Sequence, residues 1–193
     1  MAKDVAKELS NCKTEFENDE GSMLFFNAVK KTFDSYPKNT DKVQIAVKVA
    51  VINQLYKTNI LATFKITNHI QALGDKLDEL LLAGDSDAVF KIEQGHRIRN
   101  KKYKKEYDFY SFSTKYCHFS NPSKYPIYDQ FVSKALLKLR KKGLVEFENA
   151  DSLYDTAELK RVMDDVLVKF HFADYQEADR ALWVYGKKLA KEW

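Results

Sequence analysis

Residues 111–131 read SFSTKYCHFSNPSKYPIYDQF and contain two groups whose types and spacing could act together. Lys115 is a lone amine among small and aromatic residues, and Asp129 follows a proline turn fourteen positions later (129 − 115). An amine becomes a nucleophile when desolvation or a second cation lowers its pKa. Phe112, Tyr116 and Phe119, together with a basic segment just upstream, offer both conditions. A carboxylate held nearby would stabilise a developing cation. Each residue also has an ordinary role. A helical lysine commonly lays its stem on apolar surface and keeps its head in water. An aspartate after a turn, before an apolar helix, is a standard N-cap.

Two basic clusters flank this stretch. Arg97, Arg99, Lys101, Lys102, Lys104 and Lys105 precede it; Lys134, Lys138, Arg140, Lys141 and Lys142 fall at its end and beyond. Phosphate backbones are bound by such groups through counterion release, with little demand on geometry. Tyr103, Tyr107, Phe109 and Tyr110 interleave with or follow the first cluster, as a base-stacking surface requires. Either cluster alone reads as a solvated loop or helix face. Both beside one short segment point to nucleic acid.

Composition narrows the classes. The 193 residues suit one compact domain, or two small lobes with a division near residues 40–95 and the remainder. The net charge of +4 is too mild to identify a partner by itself. Two distant cysteines, Cys12 and Cys117, form no disulfide framework and fit a reduced, cytoplasmic compartment. The charged N-terminus is unlike a signal peptide, and no apolar run approaches a membrane span. His69, His96, His118 and His171 lack metal-ligand spacing, so no metal is expected. Cys117 and His118 are helix neighbours that point apart, which disfavours a dyad.

The elements that must position these groups are helical. Glycine and proline are scarce and periods near 3.6 dominate, so the expected class is all-α. Ala2–Asn18 carries a thin stripe of Val5, Leu9, Cys12 and Phe16. A helix capped by Ser22 runs to Tyr36 and buries Leu24, Phe25, Val29 and Phe33. Asp41–Lys57 is apolar almost all round, as a central core helix would be. Leu61–Leu82 is expected as one helix burying Phe64, Ile66, Ile70, Leu73, Leu77 and Leu80, with a short helix from Asp87 to Gln94. A helix through Phe119 follows, then helices from Asp129 to Lys142, Ser152 to Phe170 and Tyr175 to Lys191. Trp183 is expected to pack a C-terminal helix on the core.

From about Val43 to Leu139 the order of elements resembles the helix-hairpin-helix DNA glycosylase superfamily, the relatives of endonuclease III and 8-oxoguanine glycosylase. In that family a G-x-G-x-K hairpin carries a catalytic lysine, and an aspartate opens the following helix. Ser111-Phe112-Ser113-Thr114-Lys115 stands in the place of the hairpin, with serines for both glycines, and Pro126-Ile127-Tyr128-Asp129 in that of the aspartate turn. Val51-Ile52-Asn53-Gln54 and Thr58-Asn59 stand where the family's core helix ends in a polar stretch that reaches into DNA. There is no four-cysteine iron–sulfur motif, and no cofactor is expected.

The resemblance implies a two-lobed helical fold acting on double-stranded DNA with a damaged or modified base. Lys115 would attack C1′ and Asp129 would stabilise positive charge on the sugar. Gln54 or Asn59 would fill the hole left by the extruded base, Tyr107, Tyr110 or Tyr116 would stack on that base, and Ser111, Ser113 and the 97–105 cations would contact the backbone. The rival readings are a non-catalytic helical nucleic-acid-binding module and a protein-interaction adaptor, as in bacterial defence. A nuclease ranks last, because no metal-dependent carboxylate–lysine cluster is visible.

Overall fold

A computed structural model describes residues 2–94 and 109–191, and these are all-α. The chain folds into two compact units: 25–124, and 1–24 together with 125–193.

In the discontinuous unit, α1 (Ala2–Asn18) packs along α9 (Tyr175–Lys191), as do α7 (Gln130–Lys141) and α8 (Thr156–Phe170). The stripe Val5, Leu9, Cys12 and Phe16 is the buried face of α1, because its four-residue spacing keeps one side of the helix inward. Trp183 does pack α9 on this core: its ring meets Phe16 at 5.7 Å and Phe131 at 5.9 Å, both edge-on. Helices α7 and α9 cross at Gly186, where an added Cβ would lie 2.0 Å from the Phe131 carbonyl oxygen. Backbone cannot yield as a flexible side chain can. Gly186→Ala is therefore expected to lower unfolding free energy by about 2 kcal/mol, read as a lower urea midpoint at unchanged slope; an unchanged midpoint would refute the close crossing.

The unit 25–124 holds most of α2 (Glu20–Ser35), with α3 (Lys42–Leu55), α4 (Thr63–Ala83), α5 (Asp87–Glu93) and α6 (Tyr110–Ser120). The N-terminus of α2 differs from expectation. Asp19, not Ser22, supplies the capping oxygen, accepting from Ser22 N at 2.7 Å, and the helix starts two residues earlier. Phe26 is buried where Leu24 and Phe25 were expected, and both of those are exposed. The second correction is in α4. It bends at Gly74, whose φ of 51° and ψ of −136° belong to a region that only glycine enters readily. The expected straight helix is thus two arms, and Phe64 and Leu82 are exposed. The core joins α2 and α6 through aromatic rings, with Phe33–Tyr116 at 5.1 Å and Phe26–Phe119 at 5.6 Å.

Candidate functional site

Lys115 lies on α6. Its sequence, YSFSTKYCHFS, has no glycine or proline, and its hydroxyls bond back along the helix. Ser113 Oγ donates to Phe109 O at 3.0 Å and Ser120 Oγ to Tyr116 O at 2.9 Å, so the small polar residues support the helix rather than breaking it. The hairpin suggested for residues 111–115 is therefore absent. The Ser113 N–H donates to Phe109 O at 2.8 Å, and Ser113 is wholly buried, which removes it as a phosphate contact in this conformation.

Helix α6 packs against α5 and α3, and Lys115 is only 2% exposed. Its Nζ donates to Ser111 Oγ at 2.8 Å, one turn earlier on the same face, and lies 5.8 Å from the Tyr56 ring centroid. Ser111 thus meets the amine through its side chain. Tyr56 is the C-cap of α3, where its N–H donates to Ile52 O, and its ring packs on Phe119 at 5.6 Å. The amine consequently sits behind the root of the loop that leaves α3.

That loop is built rather than slack. Asn53 reproduces a strand-like pairing with Ile60: its Oδ1 accepts from Ile60 N at 2.8 Å and its Nδ2 donates to Ile60 O at 3.0 Å. Thr58 Oγ donates to the same Oδ1 at 2.9 Å. Lys57 and Asn59 adopt left-handed conformations (φ 51° and 58°), which the brace enforces at a modest cost. Buried Ile60 anchors the turn, and Gln54, Asn59 and Leu61 project into solvent. Asn53→Ala leaves both Ile60 backbone groups without this partner. We expect a stability loss of about 1–3 kcal/mol and faster amide exchange at residues 57–61; unchanged exchange there would count against the brace.

Two of the three aromatic residues assigned to base stacking are buried. Tyr110 is 1% exposed and Tyr116 fully buried, the latter packed between Phe33 and Phe112, so neither ring offers a free face to a base. Tyr107 and the cations Arg97, Arg99, Lys101, Lys102, Lys104 and Lys105 lie outside the described residues.

Asp129 belongs to the other unit. There it caps α7, its Oδ1 accepting from Phe131 N at 2.8 Å and Val132 N at 2.9 Å. The ordinary role proposed for it from sequence is thus real.

Sequence reasoning missed Lys48. This lysine of α3 is wholly buried, and its Nζ donates to Asn39 Oδ1 at 2.7 Å and Lys38 O at 2.9 Å. Tyr116 OH donates to the same Asn39 oxygen at 2.5 Å, and Asn39 Nδ2 donates to Asp78 Oδ1 at 2.7 Å. The rings of Phe33 and Tyr116 each lie 5.3 Å from the ammonium. Burial pushes the Lys48 pKa down to about 8, with the Asp78 carboxylate pulling the other way. Burial likewise raises the Tyr116 phenol and the Cys117 thiol well above their usual values, so both stay protonated near neutrality. The missed signal was positional. Residues 45, 48, 49 and 52 form an i, i+3, i+4, i+7 stripe, and Lys48 occupies a core place within it.

Among the described residues, no group of three or more His, Cys, Asp or Glu could hold a metal ion. None of the described helices is long and apolar enough to cross a membrane.

Fold and site together define an all-helical protein with a withdrawn lysine amine behind a braced polar loop. A family model described as HI_0787_N, N-terminal domain, matches residues 5–124. That is more than half of the chain, and the chain belongs to this family. The match ends at the residue where the unit 25–124 also ends. An "Uncharacterized protein" of Haemophilus influenzae (strain Rd) is 34% identical over 143 residues, which cover 73% of this chain. The match spans 65% of that relative's length. No solved structure matches the chain.

Proposed function

We propose that this chain is a cytoplasmic DNA-binding protein acting as a base-excision N-glycosylase on duplex DNA, with Lys115 as the amine nucleophile. The observation that carries the reading is the withdrawal of the Lys115 amine to 2% exposure beside Ser111 and Tyr56. Amine nucleophiles of this kind work from desolvated sites. The braced loop supports the same reading, because Asn59 in the loop and Gln54 in the last turn of α3 are both exposed. A rigid polar loop is suited to filling a gap in a base stack.

In this mechanism the target nucleotide leaves the stack and its C1′ reaches the amine. The Lys115 nitrogen bonds to C1′, and the glycosidic bond breaks with its electron pair leaving on the base. Sugar-ring opening gives a Schiff base, and β-elimination from it cleaves the strand. Water then releases the lysine, so no dissolved cofactor is consumed.

The test is borohydride trapping on a panel of duplexes carrying deaminated, oxidised, alkylated and abasic positions. A covalent protein–DNA adduct on at least one of them is expected. Absence of both adduct and base release across the panel would end the catalytic reading.

The second reading is a non-catalytic helical module that binds nucleic acid. It is favoured by the helical state of residues 111–115 and by the burial of Tyr110 and Tyr116. Salt-dependent DNA binding with no chemistry would select it.

A further inference from the structure

Helix α7 has an unusual charge distribution. Its twelve residues, QFVSKALLKLRK, include four cations and no carboxylate. Several cations elsewhere are neutralised locally: Lys30 pairs with Asp34, Lys91 with Asp87, Lys188 with Glu15, and Arg161 with Glu158 and Asp165. Lys134, Lys138 and Lys141 are exposed, and among the described residues no ion pair forms at any of them. Their i, i+4, i+7 spacing sets them on one face with a rise of about 6 Å between the first two. Like charges at i, i+4 destabilise a helix by a few tenths of a kcal/mol. The helix dipole favours cations in the last turn, which accounts for Lys138 and Lys141. It does not account for Lys134 or for the absence of any acid.

Arg140 is used internally, donating from Nε to Phe147 O at 2.6 Å and from its terminal nitrogen to Glu148 O at 2.7 Å. Lys134 is held over Phe131 at 5.9 Å, Phe131 meets Trp183 at 5.9 Å, and Lys187 of α9 lies 4.1 Å from the Trp183 ring centroid. One aromatic pair therefore carries a cation at each end and ties Lys187 to the α7 row.

We infer that the Lys134–Lys138–Lys141 face of α7, extended by Lys187, docks the phosphate backbone of duplex DNA. The inference rests on the DNA-binding part of the proposed function, but not on chemistry at Lys115. Charge complementarity selects a polyanion. The surface does not suit a lipid bilayer, because a helix lying in a membrane interface needs exposed large apolar side chains. The large exposed apolar residues lie on other segments, and none is on α7 or α9.

The experiment compares the full chain carrying Lys134→Gln, Lys138→Gln and Lys141→Gln with a control carrying Lys3→Gln, Lys7→Gln and Lys31→Gln. The control removes equal charge from exposed sites elsewhere. Binding of a labelled DNA duplex is followed by anisotropy across salt concentrations, and binding to phosphatidylserine vesicles is measured in parallel. The α7 variant is expected to bind DNA ~10–100-fold more weakly near 0.1 M salt, with the log–log salt slope shallower by about 2–3. The control should lose no more than a few-fold. Equal losses in both variants, no loss in either, or a loss confined to vesicle binding would each overturn the inference. Borohydride trapping on the same samples keeps the two proposals apart: a missing wild-type adduct sinks the Lys115 chemistry alone, while an unchanged salt slope sinks this surface alone.

Discussion

Lys48→Met is expected to change the pH dependence of stability by about 3 kcal/mol between pH 7.5 and pH 10.5. The folded protein holds this lysine at a pKa of about 8, against 10.5 for an unperturbed one. Below pH 8 both folded and unfolded chains carry the proton, and the folded state bears the full cost of a buried ammonium. Between these two values the unfolded chain keeps the proton that the folded chain has released. Stability from this group therefore rises with pH across that window and levels off above it. The methionine variant lacks the term, so the wild type should gain on it as pH rises.

The groups facing the ammonium support this assignment. They are Asp78 on α4, Tyr116 on α6, and Asn39 and the Lys38 carbonyl on the segment before α3. Tyr116 is held protonated by its burial and does not titrate in the window. At neutral pH the sign of the difference is set by two opposed effects. Methionine removes the buried charge, but it strips a donor from Lys38 O, a loss of about 1–3 kcal/mol if that carbonyl stays dry. The slope is free of this ambiguity. Urea melts of both proteins at three pH values measure it, and parallel pH profiles would show that Lys48 does not titrate as proposed.

Complete loss of the borohydride adduct is the expected result for Lys115→Gln, with DNA affinity within a few-fold of wild type. Glutamine keeps a polar group beside Ser111 and cannot form a Schiff base. Comparable thermal melting of the two proteins ties the loss to chemistry rather than folding. An adduct that persists in Lys115→Gln would move the nucleophile to another amine.

Asp129 needs a paired test because it has a demonstrated structural job. Asparagine caps a helix about as well as aspartate, whereas alanine loses about 1 kcal/mol. Asp129→Asn should thus melt like wild type, and Asp129→Ala should not. Slower base release in Asp129→Asn, at unchanged affinity and melting temperature, would assign the carboxylate a part in chemistry. Wild-type turnover in that variant would leave it only as the cap of α7.

Amphipathic periodicity made the discontinuous unit readable. The stripe of α1, the Asp129 cap, the Gly143 end of α7 and the extent of α9 follow from residue spacing and capping chemistry, which are local. The candidate site was less legible. Lys115 stood out as an unusual amine, and periodicity put it on a helix through Phe119; only the family resemblance put a hairpin at 111–115. Helical hydrogen bonding won there, because no glycine or proline opposes it. Gln54 and Asn59 were legible as the polar end of α3 and the turn after it; the Asn53 brace that fixes the turn was not, since it pairs groups seven residues apart.

The sequence by itself determined the helical class, most helix limits and the amphipathic faces of isolated helices, because backbone hydrogen bonding and side-chain period act within a few residues. Only tertiary structure decided which side of an all-apolar helix faces inward. In α3 it buried Lys48 and left Val43 73% exposed, because Asn39 and the Lys38 carbonyl accept from the amine while Asp78 of α4 and Tyr116 of α6 hold Asn39 in place. A buried cation is tolerated only where partners converge on it, and that convergence depends on how helices pack rather than on the local sequence.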